Sequence, residues 1–531
     1  MPSGETADAV VIGAGHNGLV AAALLADAGW DVVVLEAQDT PGGAVKSAEV
    51  TPGYVTDLYS AFYPLSVASP ALLDLNLTDH GLRWSHAPAV VGHARSATDT
   101  DAPVIYRDID ATATLLEANH PGDGQRWCDL FAQYQRIKEP LLRALFAPFP
   151  PVRGALGMLR ELGTAEALRL VHLLLLPAGV MAQHLFAGDA ARLLLLGNAM
   201  HADVPIDAPA SGVMGYLLIM LAQDGGFPVP VGGAGELAAA LVRRAETSGA
   251  RVECGRPVES IEVRNGRAVA VRTADGRTVR CRRAVVADTS APQLYQRLLP
   301  AETLPPAFAD GLDRFVWDTP VLKIDYALRE PIPWRSRSLS GAGTVHLGAD
   351  HDGLIRWMAD LNTRTLPEHP FMLFGQMTTA DPTRSPAGTE SAWAYTHLPR
   401  GLADDASADI VAERVDEVIE QHAPGFAERI VGKLVQRPSD LEANDANLHT
   451  GAVNGGTSQL FQQLIFRPAP GLGRAETHIE NVFLGSAGAS PGGGVHGVCG
   501  RNAARAALAS DGAFGWPRRR LTRAAQRLLV G

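Results

Sequence analysis

One glycine loop, set between an apolar run and a helix-forming run, constrains this chain more than any other feature. Gly13-Ala14-Gly15-His16-Asn17-Gly18 has the pattern G-x-G-x-x-G. Residues 9–12 before it read as a buried strand. Residues 19–28 after it read as a helix, closed by Gly29 at the C′ position. Residues 31–35 read as a second strand, with Glu36 at its end, 18 residues beyond Gly18. Strand, loop, helix, strand and acid at this spacing predict a βαβ unit that binds a dinucleotide; the alternative is a glycine-rich turn in an unrelated sheet. The glycines let backbone approach a pyrophosphate, and the helix start offers N–H donors and partial positive charge. A carboxylate at Glu36 suits a free ribose 2′-hydroxyl, so FAD or NAD rather than NADP.

Two further glycine turns refine this. Pro41-Gly42-Gly43 follows Glu36 closely and reads either as an ordinary turn or as a second tight passage beside the cofactor. Far downstream, Gly485-Ser486-Ala487-Gly488 and Gly492-Gly493-Gly494-Val495 precede a helical run at 502–508. A glycine cluster opening a helix again offers N–H groups and a positive end, which would stabilise an anionic reduced flavin; a plain turn is the bland alternative.

The rest of the chain alternates in texture. Apolar helical patterns at 141–146, 168–176, 190–196 and 213–221 are broken by prolines, and a Gly/Pro-rich junction covers 225–236. After a helix at 237–245, alternating runs at 258–264, 268–273 and 278–281 are separated by Asn265-Gly266 and Asp275-Gly276. This predicts a three-stranded meander, followed by another strand at 283–287 that ends at Asp288. Strands at 321–327 and 371–377, a helix at 410–421 and a strand at 481–484 follow. The fold class read from this order is α/β: a Rossmann-like nucleotide domain from residues 1–75, 225–295 and 475–515, and a discontinuous α+β substrate domain from 76–224 and 296–474. A basic tail spans 516–531, with Arg518, Arg519, Arg520, Arg523 and Arg527 among leucines. It reads as a solvated helix or as a surface for peripheral membrane contact.

Composition removes several classes. Net charge is −11, from 46 Lys+Arg against 57 Asp+Glu, which argues against nucleic acid as partner. The four cysteines, Cys128, Cys254, Cys281 and Cys499, form no C-x-x-C pair, so a dithiol redox centre, a zinc ribbon and a disulfide scaffold are not expected. No histidine spacing suggests a metal. The N-terminus lacks a signal-peptide pattern and no apolar run is long enough to span a membrane, so a cytoplasmic location is expected. Nothing specifies an oligomeric state.

The strings VIGAGHNGLVAAALLADAGWDVVVLEAQDTPGG, VPVGGAGELAAAL and GASPGGGVHGVCGRNAARAAL carry a family resemblance. They resemble the phytoene-desaturase-related FAD oxidoreductases, a glutathione-reductase/amine-oxidase-like fold, and within them the branch called pyridine nucleotide-disulfide oxidoreductase domain-containing protein 2. The resemblance implies FAD lying extended between the N-terminal loop and the C-terminal glycine turn. By carry-over the cofactor-binding residues are Gly13, Gly15, Asn17, Gly18, Glu36, Gly42, Gly43, Val258, Gly493, Gly494 and Val495. One departure concerns Ala44, which stands where many relatives have an arginine after the glycine pair; Lys46 is a weak substitute.

The resemblance further implies an oxidoreductase acting on C–C or C=C bonds of a small apolar substrate, isoprenoid or carotenoid-like, by hydride transfer with the flavin. Saturation, cis–trans isomerisation and ketolation are outcomes of the same family, and a non-enzymatic FAD-containing regulatory or scaffold protein is the remaining alternative. No second G-x-G-x-x-G supplies a separate NAD(P)H domain. His496, next to the glycine cluster, and Arg467 are the catalytic candidates, against the readings of a surface or backbone-bonding histidine and a structural ion pair; His449 is weaker. The apolar helices of 165–222 suggest either core or a hydrophobic tunnel.

Overall fold

The computed structural model describes residues 5–471 and 473–530; residues 1–4 of the first expected segment, residue 472 of the substrate segments, residue 531 of the tail and the side chains of Arg527 and Val530 lie outside the described residues.

Two seven-stranded sheets organise the chain. The first is centred on the strand Glu5–Ile12, which pairs in parallel with Val32–Leu35 on one side and Thr278–Ala287 on the other. Arg251–Glu253 extends one edge, and Val482–Leu484 pairs in parallel with the end of Thr278–Ala287. The central strands are valine and alanine runs with no exposed surface, as a parallel sheet covered on both faces requires. Alternation sends Ala9, Val11, Val32, Val34 and Val286 towards one face, where the helices His16–Asp27, Ala234–Thr247 and Val498–Asp511 pack. Val10, Val33 and Val285 face the other, against Leu294, Phe308 and Leu312.

The meander differs from expectation in one respect. The runs at 278–281 and 283–287 are one continuous strand, Thr278–Ala287. On one edge it lies parallel to Glu5–Ile12 for nearly its whole length; on the other its first half pairs antiparallel with Arg267–Thr273 and its second half in parallel with Val482–Leu484, so that edge serves two partners in succession. Asn265 and Gly266 both have positive φ, 53° and 72°, as the expected two-residue hairpin turn demands.

The second sheet runs Ile430–Gln436, Val321–Leu328, Glu390–His397, Met372–Gln376, Ala342–Leu347, Ala89–His93, Val104–Ile105. Its pleat sorts side chains cleanly. Leu322, Ile324, Tyr326, Ala392 and Ala394 pack under the helix Asp405–His422, whereas Val321, Lys323, Trp393 and Tyr395 face the cavity described below. The hairpin Ser47–Thr51 and Tyr54–Asp57 leaves the first sheet and lies against the second, where Thr56 Oγ1 donates to Asp325 at 2.5 Å.

The helices of 123–224 form a third layer. Gly212–Asp224 is almost wholly buried, and Trp127 Nε1 donates to its Gln223 at 2.9 Å. Val152–Leu175 breaks at Gly163 (φ 70°) and presents Leu156, Leu168, Val171 and Leu175 outward. The tail forms the helix Gly515–Val530, and much of its basic character is spent internally: Arg518 pairs with Glu476, and Arg519 and Arg523 with Glu480. Among the described residues no helix is long and apolar enough to cross a membrane.

Candidate active site

The G-x-G-x-x-G loop lies at the C-terminal edge of the first sheet, where Glu5–Ile12 gives way to the helix His16–Asp27. Each glycine is demanded by contact. Gly13 has φ +95°, and a Cβ on Gly18 would sit 2.2 Å from the Gly13 carbonyl oxygen. The turn at 41–43 closes against this loop: Gly42 N–H donates to the Ala14 carbonyl at 2.9 Å, and a Cβ on Gly43 would lie 3.2 Å from Gly15 Cα. Two glycine passages are thus stacked backbone to backbone.

The donors of this loop select anions. Ala14 N–H donates to Glu36 Oε2 at 2.7 Å, and Gly18 N–H donates to Asp288 Oδ2 at 2.8 Å. Around them lies a cavity of about 280 Å³, lined by Gly13, Gly15, Glu36, Gly43, Lys46 and Val258, and by Asp288 and Asp445. Burial pushes the Asp288 carboxyl up to about 7 and that of Asp445 up to about 6; the neighbouring carboxylates add to both shifts. Glycine backbone, a helix start and a carboxylate at the end of the second strand fit the pyrophosphate and ribose of a dinucleotide.

A second cavity, of about 310 Å³, begins where the first ends. His16 and Ala44 border it, next in sequence to Gly15 and Gly43 of the first. Its wall on one side is the turn 493–495, whose N–H groups donate to no protein acceptor among the described residues. The opposite walls come from the second sheet (Val321, Lys323, Leu373, Trp393, Tyr395) and from Met214, Leu218 and Phe227. Phe62 meets Trp393 in a tilted ring contact at 6.2 Å. Two cavities set end to end fit an extended FAD, with the glycine loop available to hold its pyrophosphate and ribose.

Most polar groups of this second cavity are neutral hydroxyls and an amide, from Tyr59, Ser60, Thr344, Tyr395, Asn454 and Ser458. Lys323 is buried and ion-paired with Asp325. His16 is held down to about 4 by burial, and its Nε2 is sealed from solvent without a partner. His201 is likewise held down to about 4 by burial, and its Nε2 lies 2.9 Å from Nε2 of His346. Both rings of that pair are neutral near pH 7, so one donates to the other.

The structure sorts the sequence candidates. Gly13, Gly15, Glu36, Gly43 and Val258 line the first cavity, and Gly493, Gly494 and Val495 the second. Asn17, Gly18 and Gly42 line neither. Asn17 points at the helix Val498–Asp511, where Gly500 lies so close that a Cβ would stand 1.8 Å from the Asn17 carbonyl. Gly18 and Gly42 shape the loop from behind.

His496 does not reach the cavity. It is buried, its Nδ1 accepts from Val498 N–H at 3.0 Å, its ring lies 5.7 Å from Phe146, and burial holds it down to about 3. The ion pair considered for Arg467 is absent among the described residues. Its guanidinium instead donates to the carbonyls of Asn454, Gly455, Thr457 and Ala487, which clamps two segments of the cavity wall together. Arg467 is therefore a positioning residue. His449 pairs with Glu442 at the surface. Of the helices at 165–222, Met214 and Leu218 border the cavity while the apolar stripe of Val152–Leu175 faces outward.

Sequence reading missed Asp288, Asp445, Asn447, His16, Trp393 and Tyr395. The only signal among these was Asp288, at a strand end facing the glycine loop. Asn447 holds the corner by accepting from Ser290 N–H at 2.7 Å.

Comparison with known proteins agrees with this geometry. A family model described as flavin containing amine oxidoreductase matches residues 18–508. The chain is 28% identical over 547 residues to pyridine nucleotide-disulfide oxidoreductase domain-containing protein 2 of Mus musculus, covering 94% of this chain and 92% of that protein. It is 26% identical over 512 residues to the lycopene-forming phytoene desaturase of Pseudescherichia vulneris, covering 94% and 98%. Among solved structures, an oxidoreductase from Methanosarcina mazei superposes with a TM-score of 0.62 at 17% identity, covering 94% of this chain and 99% of that one.

Proposed function

Because this chain belongs to the flavin containing amine oxidoreductase family, we propose that it is an FAD-dependent oxidoreductase whose substrate is uncharged and apolar, and that it acts on carbon–carbon bonds of an isoprenoid or polyene. One observation carries the choice of substrate. Among the residues lining the 310 Å³ cavity there is no carboxylate, and the only permanent charge is Lys323, already paired with Asp325. An ammonium substrate would enter a site with nothing to neutralise it, and burying an unpaired charge costs several kcal/mol, about 3–5. A polyene meets instead Phe62, Leu218, Leu373 and Trp393, whose burial of apolar surface contributes roughly 25 cal/mol per Å².

The flavin supplies the two-electron chemistry when bound. The protein's part is binding, orientation and dryness. Glu36 and the N–H groups of the glycine loop hold the nucleotide half. The N–H groups of 493–495 present positive dipole to the ring half. Arg467 fixes the carbonyls of 454–457 against 487, which keeps that turn in place. His201 lines the cavity and His346 stands behind it; the two neutral rings share one N–H, which fixes the orientation of the His201 ring without placing charge at the wall. Such preorganised dipoles are effective because no water competes with them. The phytoene desaturase likeness supports the same substrate class.

The test is anaerobic mixing of the purified holoprotein with phytoene in detergent, and separately with putrescine. Bleaching of the flavin bands, or conversion of the polyene with a quinone acceptor present, is expected with the first and not the second. Faster bleaching by putrescine would overturn the substrate assignment while leaving the flavoprotein assignment intact.

A further inference from the structure

A further cleft, larger than either of the two cavities above, lies apart from them. It encloses about 1330 Å³ between the segment 64–74, the stretch 142–154 and the helix Val498–Asp511. Much of its wall is apolar: Val67, Leu142, Phe146, Pro148, Pro150 and Leu221. Its floor is not. Arg501 and Asn502 lie there, both more than nine-tenths buried. Arg501 Nε and Asn502 Nδ2 are sealed from solvent and have no hydrogen-bond partner. The remaining contacts of Arg501 are weak: Nη2 donates to the Phe146 carbonyl at 3.3 Å, and Nη1 stands 4.0 Å from the largely exposed carboxylate of Asp74.

Arg505, one turn further along the same helix, also lines the cleft, and among the described residues no hydrogen bond or ion pair holds it. The other acids of the cleft are committed elsewhere, Glu139 to Arg143 and Asp224 to Lys138. Two guanidiniums at i, i+4 repel each other, and a buried guanidinium with an idle N–H is costly. Burial and the Arg505 charge together bring Arg501 down to about 10.

We propose that this cleft is a second ligand site, which takes a single apolar chain ending in an oxyanion: the head on Arg501 and Arg505, the chain along the proline- and leucine-lined wall. A phosphate or carboxylate there offsets both charges and accepts from the Nη groups of Arg501, whose present contacts are weak, and from the exposed Arg505. Arginine suits such a head because its fork donates two parallel bonds. The site is separate from the flavin cavity, with Pro64 bordering both, and it stands whether or not the proposed substrate is correct.

The test uses the FAD-loaded protein, calorimetry and the fluorescence of Trp84, which lines the cleft. The probes are monomeric dodecyl phosphate, dodecanol and inorganic phosphate. Dodecyl phosphate binds saturably, one per chain, and dodecanol and inorganic phosphate bind at least roughly tenfold more weakly, since head and chain both contribute. Arg505→Gln, an exposed position that leaves the fold intact, weakens dodecyl phosphate about fivefold or more with flavin content unchanged. Arg501→Gln has the larger effect if it folds.

Vesicles of phosphatidic acid or of phosphatidylcholine distinguish the sources of the head. Sedimentation with the first alone, lost in Arg505→Gln, places the oxyanion in a bilayer. Binding of dodecyl phosphate without vesicle sedimentation makes it a free amphiphile. Either outcome supports the site. It is overturned if dodecanol binds as tightly as dodecyl phosphate, if Arg505→Gln binds dodecyl phosphate unchanged, or if no probe binds.

Discussion

Arg384 grips Asp57 side-on in the interior: Nη1 donates to Oδ1 at 3.0 Å and Nη2 to Oδ2 at 2.9 Å, and neither side chain has any exposed surface. Asp57 closes the hairpin that leaves the first sheet, and Arg384 follows the strand Met372–Gln376 of the second. The Asp57 carboxylate also accepts from Ala234 N–H at 2.7 Å and Ser47 Oγ at 2.8 Å, while Arg384 Nε donates to Asp381 at 3.0 Å. One buried network therefore ties the start of the helix Ala234–Thr247, the hairpin and the second sheet together.

Removing Asp57 leaves the buried Arg384 guanidinium with Asp381 as its only carboxylate among the described residues, and leaves Ala234 N–H and Ser47 Oγ without their acceptor. Asp57→Ala is expected to lower stability by about 3–5 kcal/mol, and Asp57→Asn, which keeps some of the hydrogen bonds, by less. The urea midpoint of each variant measures this. A loss below about 1 kcal/mol for Asp57→Ala would mean that the guanidinium finds water or Asp381 sufficient.

Asp288 gives a pH dependence of definite sign. Its ordinary value is 3.8, and burial in the folded FAD-free protein raises it to about 7. Between those values the folded state binds the extra proton, so stability declines as pH rises through the window, and Asp445, at about 6, acts in the same sense. Asp288→Asn retains an acceptor for Gly18 N–H and removes the charge. It should flatten the profile and stabilise the apoprotein by about 1–3 kcal/mol near pH 8. Urea midpoints of the apoprotein at a series of pH values decide. A wild-type curve that rises over that window would contradict the buried, raised carboxyl.

Much of the first sheet was legible because its physics is local. The valine runs at 32–34 and 284–286, the loop between them in space, and the Asn265-Gly266 turn each declare themselves in a few residues. Glu36 was legible for the same reason. Other polar groups of the site were not: the acid Asp445 and the amide Asn447 arrive from a loop more than 150 residues beyond Asp288, and only the packing of two sheets brings them together. Asn17 misled because a helix position cannot be read as facing cofactor or core until its neighbour, here Gly500, is placed. Arg467 misled because its acceptors are backbone carbonyls, which no side-chain pattern records.

Gly18 tests the loop itself. A Cβ there meets the Gly13 carbonyl at 2.2 Å and the Asp288 side chain at 3.1 Å, so backbone must move. Gly18→Ala is expected to purify with roughly a tenth or less of the wild-type flavin, because the N–H groups that face the phosphates are displaced. Visible absorbance per protein reads this directly. Full flavin content in Gly18→Ala would show that the loop yields without losing its donors.

Leu218 separates the substrate half of the site from the cofactor half. It and Met214 stand one turn apart on the buried helix Gly212–Asp224, both at the wall of the 310 Å³ cavity, while the glycine loops lie at its far end. Leu218→Trp adds a large ring without adding charge. If the cavity receives an apolar chain, flavin content should be unchanged, KM for the polyene should rise, and kcat/KM should fall about tenfold or more, the scale set by a steric clash in an apolar pocket. Leu218→Ala should relax discrimination between long and short polyenes instead. Steady-state kinetics on the two variants tests both statements. Unchanged kcat/KM in Leu218→Trp would place the reacting chain elsewhere, because no ring of that size fits beside a bound polyene in a cavity this small.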